Sequence, residues 1–458
     1  MGLAARIIKP EPAETFREMV HDEVDKWVDL IIDEVFKDGK EPTLSELSEV
    51  LSKTKQKFFG ACFQVLIEQK YSGLLTRQYA DCPKCGKRCS KRRLGSKEME
   101  TLHGPSQIKR PWFYCLDCNH GFSPLDKVLE LSRKKYQFDL QEKAVKTAAE
   151  VPFLKAGELF TDLTGQSVSD HFMHETFVQV GSQAQLEDII PDKTEIEKRC
   201  REAKKGRWRP VLVIASDGAH MPTRPQSKRN EKRGKGKWQE AKGFRVYLLG
   251  KNRIIHIASW HQIQDEEQFG KDLCLVAERI DSDQVRIALL GDGADWLWKH
   301  MTTCFPKGRQ VLDYYHCAEH IHKVANVHYG QGTEQAVEWV ESTMCRLFYA
   351  EVTNVIRGLR NMKPTNDEAA EEIRKLIGYL NKNKKRIHYR GDRIGGYPIG
   401  SGGIESANKF ICHARMKRSG AWWVKETGNE MLRIRCAIYN GTYEKVFDRY
   451  KSNCLNDH

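Results

Sequence analysis

Two apolar runs, 211–215 (VLVIA) and 285–290 (VRIALL), each lead into an Asp-Gly pair, Asp217-Gly218 and Asp292-Gly293. Aliphatic, β-branched runs of this length predict buried strands. Two parallel neighbours that finish side by side would aim both carboxylates into one crevice, where cations relieve their mutual repulsion. A third acid, Glu405, stands in the glycine-rich stretch GSGGIES. Asp, Asp and Glu are hard oxygen donors suited to a pair of Mg²⁺ (or Mn²⁺) ions, which can activate a nucleophile and ease departure of a leaving oxygen in attack on phosphorus.

A chain of 458 residues exceeds one ordinary core, so several domains are expected. Lys and Arg number 75 against 62 Asp and Glu, a net charge of +13, which favours a polyanionic partner such as nucleic acid. No apolar run is long enough to cross a membrane, and the opening MGLAARIIKPEPAETF lacks the apolar core of a secretion signal. The expectation is an intracellular, cytoplasmic protein with no membrane partner. Four of the 14 cysteines form CxxC pairs, Cys82/Cys85 and Cys115/Cys118, while the others are scattered. That distribution favours reduced thiols and one metal site over a disulfide framework.

Along the chain, residues 1–78 form an N-terminal helical region, with Val24, Trp27, Val28, Ile31, Ile32 and Val35 at helical spacing. They serve packing or dimerisation. Residues 79–124 read as a zinc ribbon, each CxxC turn giving two thiolates to one structural Zn²⁺ and leaving no open position. Cys89 and His103 lie between the pairs but lack paired-knuckle spacing, and Lys84, Lys87, Arg88, Lys91, Arg92 and Arg93 supply a basic face. Residues 125–185 contain two or three helices with Gly165 as a stop and Ser167 or Ser169 as a cap, the plan of a helix-turn-helix. The third helix would offer His171, His174, Glu175 and Gln179 to a groove, although a plain helical hairpin has the same pattern.

Residues 201–317 carry five strand candidates with a helix at 265–279 between the third and fourth. Three strands, a helix and two more strands suit a mixed α/β, RNase H-like sheet with its first strand central. The basic stretch 224–245 reads as a loop at a hairpin tip, with Lys228, Arg229, Lys232 and Arg233 as phosphate contacts. Residues 318–390 are an all-helical insertion, and 391–458 return to the core, Glu405 opening a helix (GIESANKFICHARM).

Taken in order, the DG after the first strand, GDGADW, LDYYHCAEHIHKVAN, GSGGIES and RMKRSGAWW resemble the DDE transposases of bacterial insertion sequences, in the Mutator-related group with a helical insertion. The likeness runs from about Cys82 to Tyr443. It implies an RNase H-like catalytic core with Asp217, Asp292 and Glu405 binding catalytic Mg²⁺, preceded by zinc-ribbon and helix-turn-helix DNA-binding parts. It further implies double-stranded DNA partners (element ends and target), association as a homodimer or higher oligomer, and a place at the bacterial nucleoid. Cys317 and His320 match the family's Cys-x-x-His element and are assigned a supporting role.

Asp295 reads as a cap or surface acid, whereas Asp313 ends an adjacent strand and is either an alternative ligand or the group that orients His316. Asp292 is preferred because glycines on both sides allow close approach of metal and phosphate. In RMKRSGAWW, Arg415, Lys417 and Arg418 are cations for phosphates and Trp422 a ring for an unpaired base. Two rival functions remain: a non-catalytic DNA-binding regulator, and an RNase H-like nuclease that releases its products without joining them.

Overall fold

The computed structural model describes residues 12–36, 39, 41–204, 206, 208–226, 234–250 and 253–456. Lys228, Arg229, Lys232 and Arg233 therefore lie outside the described residues. The fold is mixed α/β with two sheets and many helices, and the chain divides into two compact units, 1–179 with 448–458, and 180–447. No helix among the described residues is long and apolar enough to cross a membrane.

In the first unit the helices Pro12–Val35 and Leu44–Lys70 pair, with Trp27 stacked on Phe58 at 4.7 Å. Thr43 and Glu46 form a reciprocal capping box that satisfies backbone donors at the start of the second helix. An antiparallel sheet follows in the order β1 (Tyr79–Asp81), β2 (Arg88–Thr101), β3 (Gly104–Cys115) and β4 (His120–Phe122). Its β2–β3 hairpin packs Met99 and Ile108 with Ile67 and Leu125 into one buried apolar cluster. The helices Phe138–Glu150, Phe153–Thr164 and Asp170–Gln183 come next. Gly165 ends the second in a left-handed conformation, and of the two serines Ser169 makes the cap, accepting the Phe172 N–H at 3.1 Å.

In the second unit five strands stand in the order β7-β6-β5-β8-β9, comprising β5 (Val211–Thr223), β6 (Lys237–Leu249), β7 (Ile254–Ile263), β8 (Arg286–Gly291) and β9 (Arg309–Leu312). The β5–β6 and β6–β7 pairs are antiparallel, whereas β5–β8 and β8–β9 are parallel. The first strand is thus central. Leu212, Val213, Ile214, Leu289 and Leu290 are fully buried, and each such side chain stabilises the sheet by roughly 1.5–3 kcal/mol relative to exposure. The helices Glu266–Glu278 and Asp295–Cys304 flank β8 in sequence, and the helix Lys425–Asn440 lies against β7. Between β9 and the glycine-rich turn the chain is helical, from Tyr314–Tyr329 to Tyr389–Ile394.

Three sequence expectations are corrected here. The stretch 224–245 is not one long loop, because β6 begins at Lys237 and pairs with β5 out to Thr223. Ladder hydrogen bonds and the burial of Ala241 and Phe244 outweigh the charge of the surrounding residues. The helix opened near Glu405 spans the expected stretch, as Gly402–Ala407, a π-helical turn (Asn408–His413) and Ala414–Met416, but it is not regular throughout and the longer helices Lys425–Asn440 and Tyr443–Asn456 follow it. The cysteines outside the CxxC pairs are not all free thiols, because Cys274 and Cys304 are disulfide-bonded between two neighbouring helices.

Candidate functional site

Cys82, Cys85, Cys115 and Cys118 converge, with all four sulfurs within 4.8 Å of one another. Local turns produce this convergence. The Gly86 N–H donates to Cys82 O at 2.9 Å, and Asn119, directly after the second pair, takes a positive φ of 48°. Neighbouring sulfurs and backbone donors separate the thiols: backbone donors lead in pulling Cys115 down to about 7, while its sulfur neighbour Cys85 leads in pushing Cys118 up to about 12. Four thiols so placed can hold one structural zinc ion, with no coordination position left for catalysis. Cys89 is buried beside them with its Sγ on Lys87 O at 3.4 Å, and His103 packs by Phe63 instead.

The two aspartates are set by register, although only β8 finishes at its Asp-Gly pair: Asp217 lies within β5, which runs on to Thr223 along β6. The last parallel pair of β5 and β8 is Ala215 with Leu290, and Asp217 and Asp292 each follow it by two residues, so both keep the same phase of the pleat. Burial raises the Asp217 carboxyl most strongly and the Asp292 charge raises it further; the Gly218 N–H, His316 and Asn408 pull it down, and the balance is about 6. Both Asp217 oxygens are anchored, Oδ1 by the Gly218 N–H at 2.7 Å and Oδ2 by Asn408 Nδ2 at 2.8 Å. Each oxygen keeps a lone pair for a further partner. Asp292 Oδ1 accepts the Ala294 N–H at 3.0 Å, and its carbonyl oxygen accepts the Tyr379 hydroxyl at 3.0 Å.

Glu405 is exposed, and the Ser401 hydroxyl donates to its Oε1 at 3.0 Å. It lies three residues before Asn408, the residue that reaches Asp217. Among the described residues the four cysteines are the one group of three or more Cys, His, Asp or Glu side chains with ligand atoms all within 4.8 Å; Asp217, Asp292 and Glu405 are not drawn that close.

Asp313 is fully buried and clamps two segments, taking the His316 N–H on Oδ1 at 2.7 Å and the Ser401 N–H on Oδ2. Its oxygens serve the chain trace, tying the end of β9 to the turn just before the helix that carries Glu405. His316 Nδ1 stands 3.5 Å from Glu319, Cys317 is buried against Tyr389, and the His320 ring lies tilted against Tyr379, the residue bonded to Asp292, with centroids 4.1 Å apart. Asp295 is a surface acid, 2.7 Å from Lys382, and does not cap its helix. The glycines beside Asp292 have internal reasons. A Cβ at Gly291 would meet Leu297, and Gly293 has φ +105° against Tyr379 and Asn383.

In the RMKRSGAWW segment Arg415 is buried with its guanidinium 5.2 Å over Trp423, a packing position and not the solvent-facing one expected. Lys417 and Arg418 are exposed. Trp422 is 41% exposed and lies 6.5 Å from Trp238, which is 58% exposed, so two indoles face solvent together.

Residues 40–451 match the model of an uncharacterised protein family, UPF0236. The chain belongs to UPF0236. No curated protein matches it. Among solved structures it is similar to a Drosophila P element transposase strand transfer complex, at 11% identity and a TM-score of 0.26, over 68% of this chain and 80% of that one. A TM-score that low establishes neither fold nor function.

Sequence reasoning missed two residues of this UPF0236 chain, Asn408 and His261. His261 is completely buried, and its Nε2 is 2.8 Å from Asn408 Oδ1. A faint signal existed for Asn408, three residues after Glu405 and thus on the same helical side. None existed for His261, an ordinary residue of an apolar strand until the fold places it.

Proposed function

We propose that this chain is a DDE-type DNA transposase of the Mutator-related insertion-sequence group, which cuts element ends and joins them to target DNA. One observation carries the reading: β5 and β8 are parallel, central and in a register that brings Asp217 under the influence of the Asp292 charge. The strand order, with three antiparallel strands from the centre to one edge and two parallel strands beyond, supports an RNase H-like core. Two aspartates near enough for one to feel the other's charge, one of them raised and with spare lone pairs, suit Mg²⁺ or Mn²⁺, and Glu405 would complete the ligand set. Bound there, such ions would supply Lewis-acid activation of phosphoryl transfer.

The chain's own residues do the rest. Asn408 and the Gly218 N–H hold the Asp217 carboxylate, Tyr379 steadies the Asp292 backbone, and Asp313 holds the turn before Glu405. Water attacks phosphorus first and frees a 3′-hydroxyl; that hydroxyl then attacks a target phosphodiester. No covalent protein intermediate forms. Lys417, Arg418 and Trp422 line the DNA path, with the zinc ribbon and the helices 138–183 as further double-stranded DNA contacts, in a dimer that holds two ends.

The test uses the DNA flanking the gene as substrate. Asp217→Ala, Asp292→Ala and Glu405→Ala each abolish cleavage and joining of a pre-cut end while gel-shift binding persists. A triple variant that still cuts rejects the chemistry, and cutting without joined product by the intact protein favours a nuclease.

A further inference from the structure

Asp217, Gly243 and His261 form a row across three strands, because Asp217 pairs with Gly243 on β6 and Gly243 pairs with His261 on β7. Directly opposed residues in register point to the same face of a sheet. The middle of the row is empty by necessity: a Cβ at Gly243 would lie 2.1 Å from His261 Cδ2 and 2.4 Å from its Nε2. Asn408 spans the row from above. Its Nδ2 donates to Asp217 Oδ2 at 2.8 Å, and its Oδ1 is 2.8 Å from His261 Nε2.

The chemistry of the groups fixes the direction of this chain. A carboxylate only accepts, so the amide must turn its NH₂ toward Asp217 and its oxygen toward His261. That oxygen in turn requires a donor, so His261 carries its proton on Nε2 and gives it to Asn408. Asn408 is 4% exposed and His261 is fully buried, so water does not compete for either bond. Asn408 is also the first residue of the π-helical turn, a local widening that recurs at functional sites.

We propose that Asn408, locked in orientation by His261 across the gap at Gly243, is a positioning residue that fixes the Asp217 carboxylate for divalent-cation binding. The proposal rests on the metal-binding reading of Asp217 given above. If His261 were replaced by a residue without a donor, the buried Asn408 oxygen would lose its partner and only the carboxylate itself would hold the amide in place. Outer partners that orient a ligand typically account for 10–100-fold in metal affinity.

The experiment titrates the full chain with Mn²⁺ alone and reads free Mn²⁺ by electron paramagnetic resonance, with melting curves alongside. Asp217→Ala loses the site. Asn408→Ala weakens Mn²⁺ binding about tenfold or more, His261→Leu does the same, and His261→Gln, whose amide nitrogen can replace the lost donor, stays close to the unmodified protein. Gel-shift affinity for DNA is unchanged in all three of these variants. If Asn408→Ala melts early, the His261→Gln and His261→Leu pair decides, since only the orienting role separates them. Loss of the site in Asp217→Ala with unweakened binding in the Asn408 and His261 variants overturns the positioning role and leaves the metal reading standing. Undiminished binding in Asp217→Ala overturns both.

Discussion

Acid should destabilise the second unit through His256, by an amount the structure allows to be worked out. His256 is buried on β7, with Nε2 3.0 Å from Asn440 Oδ1, its ring against Tyr439 and no partner for Nδ1. Burial lowers its pKa most, the Asn440 contact partly offsets this, and Arg245 and Arg199 lower it again, to about 4 from 6.5. In the unfolded chain the imidazole regains its ordinary pKa. Above pH 6.5 both states are neutral at this residue and its contribution is fully present. As pH falls from 6.5 toward 4 the unfolded state binds the proton first, so stability drops by about 1.4 kcal/mol per pH unit, about 3 kcal/mol across the window. Asp217, raised to about 6, works in the opposite direction between 6 and its ordinary 3.8, so the slope of the intact protein is not diagnostic by itself. The comparison with His256→Gln is, because only the His256 proton differs. Urea unfolding followed by tryptophan emission suits the assay, since eight of the ten tryptophans lie within 180–447. Between pH 6.5 and 4.5 the stability of the intact protein should fall relative to the variant by about 2–3 kcal/mol. A difference that stays constant over that range refutes the argument.

Two further outcomes follow from other parts of the chain. Purified protein should carry one zinc by elemental analysis and Cys82→Ser or Cys115→Ser should lose it, with the β1–β4 sheet becoming protease-sensitive, because a structural site of this kind contributes on the order of 10 kcal/mol to folding. Asp313→Ala leaves the His316 and Ser401 N–H groups unpaired in the interior and should cost about 2–5 kcal/mol in urea melts, more than Asp295→Ala, whose carboxylate is exposed.

The sequence disclosed what local chemistry announces and concealed what only the third dimension supplies. The CxxC pairs were legible because each is a turn that carries its own ligands, and the two Asp-Gly pairs were legible because apolar runs stop there, even though β5 itself runs on past Asp217 to Thr223. The start of β6 was not: Lys237, Gln239, Glu240 and Lys242 sound like a solvated loop, yet ladder pairing with β5 makes them strand. Asp313 shows the same limit from the other side. As a strand-end acid it looks equivalent to Asp292, and only its two backbone partners reveal that its oxygens are already engaged. The His261–Asn408 contact joins residues 147 positions apart through side chains whose types carry no periodic signal, so no spacing rule could have found it. The empty position at Gly243 is the nearest thing to a trace. A glycine inside a strand marks a close approach, and here what approaches is the imidazole that turns Asn408 toward Asp217. A glycine within a strand, paired with an acid on the neighbouring strand, is thus a concrete reason to look for a side chain crossing above it.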